Sequence, residues 1–219
     1  MKKLIIFMLS VVLLGSCQKD IEGCTDPLAV NYNASANTAN GSCRYTPVIG
    51  DTYQGGSLFY LDSNGGGLIA APVNQIEGAN GSATGTGVPW DCYNTTFPGA
   101  NGIAIGNGAQ NTIDIVVGCT TPGTAADICA NLTLGGYSDW FLPSKDELNL
   151  MWTNLADSDG DGQNTGPSDP NNLGGFSPNY YWSSTESNYV FAWRQNFNVG
   201  SQFSNYKYNF YYVRSVRAF

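Results

Sequence analysis

Of the side chains that do chemistry, histidine is missing altogether from the 219 residues. That removes the usual general base near neutral pH, the usual zinc ligand and any Ser-His or Cys-His nucleophile pair. Carboxylate, thiol and aromatic chemistry remain. Asp157, Asp159 and Asp161 alternate along Asp157-Ser158-Asp159-Gly160-Asp161-Gly162, which places oxygens at positions 1, 3 and 5 and a turn glycine at position 6 of an EF-type calcium loop. Gln163 offers its carbonyl at position 7, but position 12 is Ser168 rather than Glu, so the bidentate ligand is missing. Three alternating carboxylates repel one another unless a cation sits between them. The loop therefore reads as a calcium site, set against a plain acidic surface insertion. Asp139, Asp146, Glu147 and Glu186 could in principle supply a carboxylate pair for glycoside hydrolysis. Glu147 is better explained as a helix cap and Asp146 as a favourable first-turn charge. No catalytic constellation stands out, and the chain is expected not to be an enzyme.

The aromatic residues are unevenly placed. Residues 187–212 hold nine of the chain's 23 Phe and Tyr side chains. A half-buried strand alternates apolar with polar, and Tyr208-Asn209-Phe210-Tyr211-Tyr212 does not. Some of these rings must face solvent or a partner, while about half fill the two faces of a small sheet. Exposed tyrosine beside Asn and Ser is the composition of antibody binding loops, and tyrosine also stacks on sugars. The candidate ligand-binding residues are Asn188, Tyr189, Phe191, Arg194, Asn196, Asn205, Tyr206, Tyr208, Asn209, Phe210 and Tyr211. The partner expected is a glycan or a protein. A net charge of -8 leaves no basic patch for nucleic acid.

These residues need a scaffold. Ser144 and Glu147 have the spacing of a capping box behind Pro143. Leu148, Met151, Trp152 and Leu155 follow as one apolar helical stripe. A shorter helix is expected from Thr124, with Ala125, Ile128, Cys129 and Leu132 on its apolar face and Gly135-Gly136 ending it. Residues 50–72 read as a β-hairpin turning at Asp62-Ser63-Asn64-Gly65. Residues 74–111 read as mostly loop, and Gly106-Asn107-Gly108 is not a phosphate loop because neither a flanking strand nor a following helix supports it. Tyr180–Glu186, Phe191–Phe197 and Tyr208–Phe219 read as strands, with a turn at Val199-Gly200-Ser201.

The N-terminus carries Lys2-Lys3, an apolar run from Leu4 to Leu14, and then Gly15-Ser16-Cys17. The run is too short to span a bilayer as a mature helix and reads as a signal peptide over residues 1–16. Leu14-Gly15-Ser16-Cys17 resembles a lipobox, so Cys17 is the expected lipidation site and acyl chains the only membrane contact. Residues 17–47 are read as a tether and a small disulfide module. Its polar start resembles the acidic export tags of bacterial surface lipoproteins. The rest, Gly23-Cys24-Thr25-Asp26-Pro27 to Gly41-Ser42-Cys43, resembles a short module of secreted bacterial proteins. An oxidising compartment favours a Cys24–Cys43 disulfide. Cys92 and Cys119 both fall in loops and form the better second pair, with Cys129 as a buried thiol; Cys119–Cys129 is the alternative.

Four motifs in residues 48–219 occur together: Gly50-Asp51-Thr52-Tyr53-Gln54-Gly55-Gly56; the Asp139-Trp140-Phe141-Leu142-Pro143-Ser144-Lys145-Asp146-Glu147-Leu148 stretch; Tyr181-Trp182-Ser183-Ser184-Thr185-Glu186; and Val213-Arg214-Ser215-Val216-Arg217-Ala218-Phe219. Together they resemble the Lcl C-terminal domain family, named for a collagen-like bacterial adhesin. The resemblance implies a loop-rich α+β fold of C-type-lectin-like topology, with two helices and a small twisted antiparallel sheet closed by the C-terminal strand. The Leu-Pro-Ser element is also similar to one in formylglycine-generating enzymes. Those enzymes need a close cysteine pair in their C-terminal part, and no cysteine follows Cys129 here. Some proteins of this fold are diversified by retroelements that turn Asn codons into Tyr, Phe, Ser and Asp, and the terminal segment resembles that output. The expected protein is a surface-exposed outer-membrane lipoprotein acting as a binding or adhesion module. The alternatives are a structural envelope lipoprotein without a ligand and, behind it, a carboxylate-dependent enzyme.

Overall fold

The computed structural model describes residues 19–75 and 87–219. The expected signal peptide over residues 1–16 and the expected lipidation site Cys17 lie outside the described residues. Two compact units follow one another, divided between Thr46 and Pro47. Among the described residues no helix is long and apolar enough to cross a membrane.

The first unit has little core. Among its described residues Cys24 and Ala29 are the buried apolar ones. Strands β1 (Glu22–Gly23) and β2 (Thr38–Ala39) pair in parallel, and a Cys24–Cys43 disulfide closes the loop between them. Asparagine side chains do much of the remaining work: Asn31 Oδ1 accepts from Arg44 N, Asn33 Oδ1 from Ser35 N and Asn37 Oδ1 from Ile21 N. So small a segment cannot bury enough apolar surface to order itself, and the cross-link supplies the constraint.

The second unit is α+β. Strands β3 (Thr52–Tyr53), β4 (Gly56–Leu61) and β5 (Gly67–Ala70) form an antiparallel sheet. The last strand, β9 (Val216–Ala218), completes it beside β5. Between them come α1 (Gly108–Gly118), α2 (Ala125–Ala130) and α3 (Lys145–Met151), which continues as a π-helical turn over Trp152–Ala156. A separate three-stranded antiparallel sheet follows, from β6 (Tyr180–Glu186), β7 (Phe191–Asn196) and β8 (Gln202–Tyr206).

The capping box is present in full, with Ser144 accepting from Glu147 N and Glu147 from Ser144 N. Leu148, Met151 and Leu155 are fully buried against Phe59, Phe176, Tyr181 and Phe197, joining the two sheets. A second core packs Trp90, Phe97 and Ile115 with Ala125, Ala126, Cys129, Trp182 and Val213.

Four features differ from the sequence reading. Among the described residues there are three helices, not two. α1 escapes an apolar-period search because its buried side is Gly108, Asn111, Thr112 and Ile115, while Ile113 and Val117 face out. A helix therefore does follow Gly106-Asn107-Gly108, although no strand precedes it among residues 87–107. α2 ends at Ala130, and Gly135-Gly136 instead make a two-residue turn joining Leu134 to Tyr137, both with positive φ. The terminal segment is not one strand: β8 lies at Gln202–Tyr206, a turn follows, and only Val216–Ala218 returns to the first sheet. The aromatics of 208–212 break the period of two because the backbone there is a turn and isolated bridges.

α1 and α3 meet at a polar junction. Asn111 Nδ2 donates to Gly102 O and Ser184 Oγ, and Thr112 Oγ donates to Gly108 O. A Cβ at Gly108 would fall on the Glu147 carboxylate and lie 2.8 Å from Ser144 N. Helix propensity alone makes Gly108→Ala worth about 1 kcal/mol of extra stability. The junction predicts a net loss of roughly 1–3 kcal/mol, the cost of overpacking, read as a lower urea midpoint with unchanged slope.

Candidate functional site

The three-stranded sheet presents the candidate residues. β7 sits in the middle, pairing Tyr180 with Asn196 and Trp182 with Arg194 on one side, and Phe191 with Tyr206 and Arg194 with Phe203 on the other. β8 is the edge, and its residues are the least buried of the sheet. Five rings stand largely in solvent: Tyr189 (57%), Phe203 (53%), Tyr208 (48%), Phe210 (46%) and Tyr206 (40%). Phe191 and Tyr211 are half-buried, whereas Phe197 is in the core.

Several of these rings touch one another. Phe191 lies 4.6 Å from Tyr206, Tyr206 stacks on Tyr208 at 5.1 Å, and Tyr208 meets Tyr93 edge-on at 4.9 Å. Tyr93 was not anticipated from the sequence. Its signal was its place beside Cys92, because the Cys92–Cys119 disulfide ties its loop down. Among the described residues Cys129 is the remaining thiol, buried so deeply that its pKa is pushed up to about 12.

The asparagines behave differently from the rings. Asn188 Oδ1 accepts from Val190 N and Phe191 N, and Asn196 Oδ1 from Asn198 N, so each shapes a hairpin turn. Asn205 donates to the Tyr211 hydroxyl and accepts from Tyr206 N and Asn209 Nδ2. The structure thus uses Asn188, Asn196, Asn205 and Asn209 to build the face. Arg194 lies against two rings, its Cζ 3.6 Å from the Tyr180 centroid and 4.6 Å from that of Tyr211.

Beneath the exposed rings lies a buried charge. Lys207 falls between Tyr206 and Tyr208 and points the other way, inward. Its Nζ is 2.5 Å from Glu186 Oε1, donates to Thr95 O at 2.7 Å, and sits over the Trp90 and Phe97 rings. Burial pushes the Lys207 pKa down, and Glu186 opposes that. Glu186 also accepts from Phe97 N at 3.2 Å. The other carboxylates weighed for hydrolysis are also placed. Asp139 pairs with Arg217 at 2.5 Å. Glu147 caps α3 and accepts from Gly106 N, with its pKa raised by burial. Asp146 sits in the first turn of α3. An apolar groove of about 270 Å³, lined by Ala109, Ile113, Val116, Trp140 and Phe141, lies along α1.

In the acidic loop, Asp157, Asp159 and Asp161 bring carboxylate oxygens within 4.8 Å of one another. Asp157 accepts from Gly162 N at 3.1 Å, and Asp161 from Gln163 N at 2.7 Å. Asp159 Oδ2 accepts from Asn171 Nδ2 at 2.6 Å. Burial, then the neighbouring Asp161 and Asp159 charges, raises the Asp157 pKa. Gln163 is exposed at the loop's end.

Asp91 is buried beside the disulfide. Its Oδ1 accepts from Cys92 N at 2.7 Å, and its Oδ2 has no hydrogen-bond partner among the described residues. Burial lifts its pKa to about 7, against a smaller opposing pull from Lys207. The folded state then holds this proton more tightly than the unfolded chain. The contribution is fully present below the unfolded pKa near 4 and is lost as pH rises towards 7. Asp91→Asn should therefore flatten the decline in melting temperature between pH 4 and 7 and raise it at pH 8, measured by thermal denaturation across that range.

Comparison with known families adds identity to this geometry. Among curated proteins none matches the chain. The family model of the Lcl C-terminal domain matches residues 82–217, which is more than half of the 219. The match takes in all three helices, the three-stranded sheet and most of β9, and the compact unit reaches further back, to Pro47. The chain belongs to the Lcl C-terminal domain family.

Proposed function

We propose that this protein is a lipid-anchored surface protein whose Lcl C-terminal domain is a ligand-binding or adhesion module, working through the aromatic face of β7, β8 and the turn after them. The observation that carries the reading is the contact series Phe191–Tyr206–Tyr208–Tyr93 with Tyr206 and Tyr208 both well exposed. Exposing large rings in water is unfavourable, and clustered exposed rings mark interaction surfaces. Here they also rest on a costly buried ion pair, which fixes their backbone. Rings held in advance lose little entropy when a ligand arrives. Acyl chains on Cys17 would hold the module on the membrane, with no other membrane contact. A diversified terminal segment would vary the exposed rings and spare the asparagines that form the turns.

The test is binding of the purified protein to glycan and protein arrays, followed by Tyr206→Ala and Tyr208→Ala. Each substitution should weaken the ligand by at least about tenfold, as expected for a hot-spot aromatic. Melting temperature should hardly move, because both rings are exposed. Variants that bind as well as the parent would remove the aromatic face from the account. Arrays with no hit at all favour a structural envelope lipoprotein instead.

Calcium is proposed for the acidic loop, on the convergence of Asp157, Asp159 and Asp161. Added calcium should raise the melting temperature and give binding heat, and Asp157→Asn with Asp159→Asn should abolish both. Calorimetry without heat, together with an unmoved melting curve, would discard the idea.

A further inference from the structure

We infer that Lys207 and Glu186 condense to an amide between their side chains, so that the buried ion pair is the reactant of a self-cross-linking step. The inference goes beyond the binding role and does not depend on it. Lys207 Nζ lies 2.5 Å from Glu186 Oε1, and the two side chains are 0% and 5% exposed. The carboxyl carbon that a nucleophile attacks is one bond beyond that oxygen. The Trp90 and Phe97 rings flank the amine, their centroids 4.8 and 4.7 Å from Nζ. Thr95 O accepts from Nζ at 2.7 Å and fixes its direction. Among the described residues the other ion pair lacks these features. Asp139 is 61% exposed, and its partner Arg217 offers a guanidinium that keeps its proton and is no nucleophile. Glu147 is buried as deeply as Glu186, but it accepts from the backbone N–H groups of Ser144 and Gly106.

The step balances within the pair. One proton passes from Nζ to Oε1 along their hydrogen bond, which turns ammonium and carboxylate into amine and acid. The amine lone pair attacks Cδ. The Nζ–Cδ bond forms, the Cδ–Oε1 bond breaks, and Oε1 leaves as water with two of the ammonium's three protons. The third stays on the amide nitrogen. No oxidant, reductant or activating group is needed. Burial pushes the Lys207 pKa down, which favours the free amine. Phe97 N lies 3.2 Å from both carboxylate oxygens and stabilises the charge that builds on the one that stays. Groups held in contact by a fold react as though at very high concentration. Two charges shut away from water are costly to keep, whereas an amide is neutral, so burial draws the pair towards product. The bond ties the end of β6 to the turn after β8, directly beneath Tyr206 and Tyr208.

The test is a tryptic digest of the full chain, read by mass spectrometry. Trypsin cuts after Lys145, Arg194 and Arg214, and it cuts after Lys207 only if that amine is free. With the amide in place, residues 146–194 and 195–214 should leave as one branched species, lighter than their sum by one water, about 18 Da. No cysteine lies in either segment, so a disulfide cannot join them. Fragmentation should place the link at Lys207 and Glu186. Lys207→Arg keeps a cation opposite Glu186 but removes the nucleophile, and Glu186→Ala removes the acyl group; each should return separate linear peptides. The parent digest needs no variant, so the test survives if either substitution folds poorly. Free peptides 195–207 and 208–214 as the main products of the parent overturn the inference. So does a branched species that persists in Lys207→Arg, or a link mapped to Asp91, whose charge also acts on Lys207 and Glu186.

Discussion

Lys207 has no route to water, so its ammonium must be balanced inside the domain. Glu186 balances it from the end of β6, and Thr95 O, on the loop after Cys92, accepts a second hydrogen bond from the ammonium. One buried pair thus ties together the second sheet, the Cys92–Cys119 loop and the turn after β8. Breaking such a pair leaves a naked charge in an apolar site, which costs far more than the pair itself is worth. The constraint also shapes the surface. Because Lys207 must point in, Tyr206 and Tyr208 must point out, and Trp90 N donating to Lys207 O holds the turn at its backbone.

A second polar junction does for the helices what Lys207 does for the sheet. Glu147 is wholly buried, accepts from Ser144 and Gly106, and forms half of a helix cap. The absence of a side chain at Gly108 lets α1 start against that carboxylate. Asn111 then reaches Ser184 on β6, so α1 is positioned by hydrogen bonds where most helices are positioned by an apolar stripe. Such a junction gives up little in net stability if every group is satisfied, and it fixes the geometry tightly. It places α1 and α3 against the sheet that bears the rings.

Different parts of the chain were legible to different degrees, and the reasons are local. The α3 cap and stripe were readable because every determinant lies within twelve residues and follows one period. The β4–β5 hairpin was readable from its turn residues. α1 was opaque because its inward side is Gly, Asn and Thr, whose partners lie 30 and 73 residues away in Leu142 and Ser184. Gly135-Gly136 were read as the end of α2, but the helix had already ended at Ala130, since αL glycines serve hairpins as well as helix ends. The aromatic bias of residues 187–212 was readable and five of its rings are exposed, while the asparagines there proved to form hairpin turns.

Sequence alone determined the family, the α+β character, the capped helix and the concentration of rings near the C-terminus. These follow from composition, short-range spacing and motif. Tertiary structure decided which of nine rings reach solvent, that Tyr93 joins them from a distant loop, that four asparagines are occupied, and that Arg194 has no ion-pair partner among the described residues. Each of those outcomes depends on which groups meet across the fold, and a charge or amide is spent or unspent only once its neighbours in space are known.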